Sequence, residues 1–101
     1  MSTKVTLVIE NPTDPEAFEN VYPEIKTLAA QLPGLQRLES AKVWPKEDGT
    51  PTPAHRTLDL YFETYEAASA AVAVPAAGEF FQKLVGTGVP FIGLFSDVEE
   101  G

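Results

Sequence analysis

The chain has 101 residues, 44% of them hydrophobic, with one histidine and no cysteine, which fits one domain around a small core. Seven basic against fifteen acidic residues give a net charge of −8. That balance argues against nucleic acid and against an anionic membrane surface, both of which select clustered cations.

Lys42 and Lys46 are the nearest thing to a basic cluster. Without cysteine there is no disulfide, no thiolate nucleophile and no Cys-ligated zinc or iron–sulfur site. A cysteine-free domain fits a reducing cytoplasm, the expected location. The apolar run Val5–Ile9 is too short for a signal-peptide core and is broken by Thr6, and no stretch approaches a membrane span.

The first element is a strand, Lys4–Glu10, rich in β-branched residues, with Val5, Leu7 and Ile9 on one face. Asn11-Pro12-Thr13-Asp14-Pro15 breaks it, offering Asp14 as N-cap and Pro15 at the first helical position. Phe18, Val21, Tyr22, Ile25, Leu28, Ala29 and Leu32 then recur at helical spacing, predicting an amphipathic helix over 15–32 that Pro33-Gly34 stops. Leu35–Trp44 reads as a second strand with imperfect alternation, and Pro45–Pro53 as a loop. Ala54–Glu63 is the third strand. Leu58, Leu60 and Phe62 face one way, and His55, Thr57, Asp59, Tyr61 and Glu63 the other. Thr64 caps a helix from Tyr65 to about Val74. Pro75 interrupts, and a second helical piece covers Ala76–Val85 until Gly86-Thr87-Gly88. Val89–Val98 is the last strand, with either Phe91 and Phe95 or Ile92 and Leu94 in the core, and Glu99–Gly101 is a polar tail.

The order β-α-β-β-α-β contains a strand-to-helix unit twice. It predicts an α+β, ferredoxin-like sandwich: an antiparallel sheet with its helices on one face. The other face is left uncovered, with Thr6 and Val8 on the first strand and Thr57 and Tyr61 among His55, Asp59 and Glu63 on the third. A mixed face bearing aromatics is a candidate dimer surface.

Four segments give a resemblance to a known family: the first strand followed by NPTDPEAF, the helix end LAAQLPGLQRLE, the Pro-rich loop leading into HRTLDLYFETYEAASAAV, and the closing LFSDVE. In this order and spacing, from Lys4 to Glu99, they resemble the EthD-like family of dimeric α+β barrels. The resemblance implies one EthD-like domain over residues 1–101, a homodimer paired through the open sheet face, and a place in ethyl tert-butyl ether degradation alongside a cytochrome P450 system. Related barrels include cofactor-independent monooxygenases, muconolactone isomerases and haem-handling enzymes. One departure matters. Many EthD-like chains carry a histidine in a V-H-x-P-L segment of the first helix. Aligned on Leu28 and Pro33-Gly34-Leu35, that position is Ile25 here, and the proline falls on Thr27.

Among chemistry-bearing residues, His55 is the one imidazole, able to act as acid, base or ligand. Beside Arg56 at a strand start it reads first as a partly exposed surface residue and second as a functional polar group. One histidine per chain builds no two-His or three-His metal site, so no metal and no cofactor are expected. Ser2, Ser40, Ser69 and Ser96 lack G-x-S-x-G context, and Gly86-Thr87-Gly88 is a helix stop ahead of a phosphate loop. Tyr22 lies on the apolar stripe and, if buried, needs a partner for its hydroxyl. It reads first as a core tyrosine and second as a pocket wall. Trp44 is expected to lid a pocket or anchor a dimer edge. Asp59 on the open face calls for Arg37, Lys42 or Arg56 nearby, or for a polar contact between subunits.

The functional expectation is an EthD-like protein of small-hydrophobic-molecule catabolism, oxidative and cofactor-independent, monooxygenase- or reductase-like. Its pocket lies between the first helix and the sheet, lined by Tyr22, Ile25, Trp44, Leu60 and Phe62. No catalytic residue is assigned. The competing class is a non-catalytic dimeric carrier or accessory protein, favoured by the missing family histidine and the scarcity of polar groups on the apolar stripe.

Overall fold

A computed structural model describes residues 2–99; of the expected polar tail, residues 100 and 101 lie outside the described residues. The elements are β1 (Thr3–Ile9), α1 (Pro15–Ala29), β2 (Arg37–Lys42), β3 (Arg56–Phe62), α2 (Tyr65–Ala71), α3 (Pro75–Gly86) and β4 (Phe91–Asp97). The strands form one sheet in the order β2-β3-β1-β4, every neighbour antiparallel. This is the ferredoxin-like α+β arrangement expected from the element order.

Both expected caps form. Asp14 Oδ1 accepts from the Ala17 N–H at 3.1 Å, and Thr64 Oγ1 from the Ala67 N–H at 3.1 Å, each satisfying an orphan donor of a first turn. Most boundaries shift by one or two residues from the sequence reading, and the shifts of α1, β2 and α2 have a clear local cause. α1 ends at Ala29, not Leu32, because the chain leaves the helix through a turn. Leu32 still packs into the core, and Gly34 takes φ +77, open to glycine at little cost. β2 is shorter than Leu35–Trp44. It is an edge strand paired only with β3, and single hydrogen bonds, Gln36 N–H to Tyr61 O and Val43 N–H to His55 O, extend it at either end. α2 stops at Ala71, three residues before the expected Val74. Val74 precedes Pro75, where sterics disfavour helical backbone; it is extended (φ −82, ψ 159) and serves as N-cap to α3.

The core is one cluster between the helices and the sheet. Val5, Leu7 and Ile9 of β1, Leu58, Leu60 and Phe62 of β3, Phe18, Tyr22, Ile25 and Ala29 of α1, and Phe80 and Leu84 of α3 are all buried. β1 alternates strictly between buried and partly buried residues, the signature of a strand with one covered face. On β4 the register sets Phe91 opposite Ile9, Gly93 opposite Leu7 and Phe95 opposite Val5. Of the two alternatives, Phe91 and Phe95 therefore take the helix side, but neither is fully in the core: Phe91 packs partly buried against it, and Phe95 stays 43% exposed beside Tyr65. Ile92 and Leu94 take the open side, more than half exposed.

The open face is ordered in rows. Ala41, Thr57, Val8 and Ile92 form an apolar row; Glu39, Asp59, Thr6 and Leu94 the next; Arg37, Tyr61, Lys4 and Ser96 the third. Asp59 accepts from Thr6 and pairs with Lys4 at 3.6 Å. The cation is thus not Arg37, Lys42 or Arg56, as the sequence suggested. Lys4 sits on the neighbouring strand, Arg37 pairs with Glu39 at 3.5 Å, and Arg56 is engaged beneath α1. Among the described residues no helix is long and apolar enough to cross a membrane.

Candidate functional site

The helical repeat of α1 sets Phe18, Tyr22, Ile25 and Ala29 against the sheet. Four of the expected lining residues, Tyr22, Ile25, Leu60 and Phe62, come together there and are at most 1% exposed. The structure does not bring Trp44 to them. It follows β2 on the hairpin extension and is 85% exposed. The Tyr22 hydroxyl finds its partner in Ser40 Oγ of β2, 2.8 Å away. Burial, the largest effect, pushes the Tyr22 hydroxyl up from its ordinary pKa, and the bond to Ser40 works against it.

Beside Tyr22 lies a polar network that the sequence reading did not assemble. Glu19 of α1 accepts two bonds from the Arg56 guanidinium, Nε at 2.8 Å and Nη2 at 2.5 Å. It also sits 3.1 Å from His55 Nε2. The forked bond from Arg56 is the chief reason the Glu19 carboxyl is held at about 2, against an ordinary 4.5; burial opposes the shift and His55 adds to it. An ionised Glu19 can only accept, so Nε2 of His55 carries the hydrogen, and in the neutral ring Nδ1 keeps the lone pair. Arg56 also lies over the Tyr22 ring at 4.4 Å. Phe18 ties the group together, stacked on Tyr22 at 5.5 Å and edge-on to His55 at 5.6 Å.

His55 keeps the partial exposure its sequence setting suggests, but its ring is mostly covered and does not join the open face. Its side chain is 11% exposed, because its N–H bonds to Ile9 O at 2.7 Å and its ring turns toward α1. Glu19 was missed although a signal existed. It stands next to Phe18 and three residues before Tyr22, an acid on the flank of the buried stripe, opposite an adjacent His-Arg pair. Among the described residues no buried side-chain nitrogen or oxygen lacks a hydrogen-bond partner. No group of three or more His, Cys, Asp or Glu among them is arranged to hold a metal ion.

Open volume lies next to this network. A cleft of about 500 Å³ separates the start of α1 from the end of α3, with Phe18 and Val21 on one wall, Val89 and Pro90 behind, and Gln82 and Lys83 at the other side. A second, of about 540 Å³, lies at the apolar end of the open face, bounded by Val8, Glu10, Asn11, Pro53, Ala54 and Ile92. Neither is lined by Tyr22, Ile25, Trp44, Leu60 or Phe62.

The chain is 36% identical over 73 residues to an uncharacterised 11.0 kDa protein from the thcB-thcC intergenic region of Rhodococcus erythropolis, a match covering 71% of this chain and 70% of that one. The two belong to one family, and the fold is EthD-like. An ethyl tert-butyl ether degradation (EthD) family protein of Bacillus halodurans superposes with a TM-score of 0.89 at 16% identity, covering 98% of this chain and 100% of that one. SnoaB, a cofactor-independent oxygenase of Streptomyces nogalater, superposes at 0.72 with 14% identity over 99% and 95% of the two chains. A dimeric ferredoxin-like protein of unknown function from Thermobifida fusca does so at 0.73 with 13% identity over 97% and 92%. No family model matches the chain. Within this EthD-like frame, the position that the resemblance gives to a helix histidine is Ile25, fully buried. The one imidazole reaches α1 from β3 instead.

Proposed function

We propose that the protein is an EthD-like homodimer that takes a small hydrophobic molecule into the cleft between α1 and α3 and oxidises it without a cofactor. The observation that carries this reading is the placement of Phe18, which lines the cleft with one side and packs on Tyr22 and His55 with the other. The cleft is of mixed polarity, with Phe18, Val21 and Val89 facing Asn11, Asp14, Gln82 and Lys83, and apolar walls with a few placed polar groups are the common form of a small-molecule site. Tyr22, Ile25, Leu60 and Phe62 belong to the packed core and not to the wall of this cleft; Trp44 is assigned to the dimer edge. The likeness in fold to a cofactor-independent oxygenase supports oxidation as the reaction class.

The chemistry suited to such a site uses an electron-rich substrate with an acidic proton. His55, held by Glu19 and packed against Phe18, accepts that proton at Nδ1 once the Phe18 ring that lines the cleft turns aside. The resulting anion passes electrons to dioxygen, the oxidant, so the substrate is its own reductant. The test is oxygen uptake with a panel of phenolic and enolic compounds, comparing the wild type with His55→Gln. Uptake with a bound compound that falls at least about tenfold in the variant supports catalysis. Binding with no uptake in either protein sinks it.

A second reading, a dimeric carrier, is favoured by one observation: Glu19, Tyr22, His55 and Arg56 do not themselves line the cleft. A carrier binds the same compounds with unchanged affinity in His55→Gln and turns none over. The homodimer itself is checked by sedimentation equilibrium.

A further inference from the structure

Two charged residues stand in the wall of the cleft between α1 and α3, and they differ in how far they are committed. Asp14 is spoken for, since its Oδ1 caps α1 through the Ala17 N–H at 3.1 Å. Lys83 is the one cation in the wall among the described residues. Its Nζ stands 3.1 Å from Oε2 of Glu24, and Glu24 lies outside the cleft wall. The two side chains are 39% and 62% exposed. An ion pair so open to water contributes little, and Lys83 can leave it at little cost. A lysine is a point charge on a flexible stem with three donors, so the ammonium can turn to a new acceptor without a fixed approach angle.

The rest of the wall says what that acceptor is attached to. Phe18 and Val21 form one side and Val89 the back, opposite Lys83. A molecule held there meets apolar carbon on one side and an ammonium on the other. The ligand that satisfies both is a flat apolar ring bearing an anionic oxygen. Away from Lys83 the chain opposes an anion, because its net charge is −8. Lys26, on the same helix as Glu24, lies over the Tyr22 ring at 5.5 Å and outside the cleft wall.

We propose that Lys83 is the specificity-determining residue of this cleft: it exchanges Glu24 for the carboxylate of an aromatic acid whose ring rests on Phe18, Val21 and Val89. Among phenolic compounds, those that also carry a carboxylate are then preferred. This inference rests on the cleft being the ligand site, as proposed above, and is independent of turnover.

The probes are 2-naphthoate and its uncharged amide, 2-naphthamide, which share one ring system. Equilibrium dialysis near neutral pH follows both with the wild type, Lys83→Met, Glu24→Gln and Lys26→Met. None of the three substituted residues is buried, so the fold stands without them. The expected result is that the wild type prefers naphthoate by about tenfold. Lys83→Met removes that preference and leaves naphthamide binding unchanged. Glu24→Gln frees Lys83 and tightens naphthoate by about threefold. Lys26→Met makes the same change in net charge and keeps the preference. Equal affinity for the two probes in the wild type, or a preference that survives Lys83→Met, overturns the role of Lys83 and leaves the cleft as the ligand site. A loss as large in Lys26→Met as in Lys83→Met does the same, since it assigns the effect to net charge. Failure of every one of these proteins to bind either probe overturns both readings.

Discussion

At the scale of single residues, the Glu19–Arg56–His55 group ties pH to stability. Glu19 is held at about 2 in the fold against an ordinary 4.5. A depressed carboxyl contributes stability that is complete above the ordinary value and is lost as the pH falls from about 5 toward 2. Because the Glu19 side chain is 31% exposed, solvent screening reduces that contribution to about 1–2 kcal/mol. Glu19→Gln is expected to lower stability by a similar amount at pH 7 and to flatten the loss between neutral and acid pH. Urea unfolding at pH 7 and pH 3 measures both effects, and parallel acid losses in the two proteins would remove Glu19 from the account. Tyr22 separates two roles. Tyr22→Phe removes the 2.8 Å bond to Ser40, at a cost of about 0.5–1.5 kcal/mol in thermal unfolding. Turnover that stays at the wild-type level in this variant confines Tyr22 to packing; lost turnover with retained binding gives its hydroxyl a part in the chemistry.

At the scale of elements, β4 and α1 show what the sequence could and could not disclose. Strand and helix periodicity was plain wherever one face is covered. β1 and β3 alternate and α1 repeats at helical spacing, so the element order and the core residues Leu58, Leu60, Phe62, Tyr22 and Ile25 followed directly. β4 left two registers open because it is apolar on both faces. In the structure Gly93 sits opposite Leu7, at an exposed position of β4. A Cβ there would lie 3.3 Å from Leu7 Cδ2, so Gly93→Val is expected to cost about 1–3 kcal/mol through crowding. Gly93→Ala should change little, since only the tip of Leu7 must yield; equal melting temperatures for the valine variant and the wild type would count against this packing. The polar network was the illegible part. Glu19, Ser40, His55 and Arg56 lie on three elements up to 37 residues apart, and no local spacing rule joins them. Trp44 was legible as an unusual residue but not as one held away from the core, since its burial depends on where the hairpin extension points.

For the whole molecule, charge sets how the pairing should answer to salt. Two copies, each at −8, repel over distances longer than their contact. That repulsion is carried by acids outside the open face, such as Glu16, Glu24, Glu47 and Glu79. Salt screens such exposed charges with a Debye length of about 10 Å at 0.1 M and about 3 Å at 1 M. The internal pairs Lys4–Asp59 and Arg37–Glu39 stay within one copy, so screening them costs little of the contact between copies. The proposed dimer should therefore tighten, by roughly threefold to tenfold in dissociation constant, between low salt and about 0.5 M. Burial of the row Ala41, Thr57, Val8 and Ile92 against a second copy would move the same way, since burial of apolar surface does not weaken with moderate salt. Ion pairs formed across the interface would do the reverse. Sedimentation equilibrium over a salt series decides between them. A dimer that loosens as salt rises would mean that Lys4 or Arg37 leaves its own strand neighbour for an acid of the second copy.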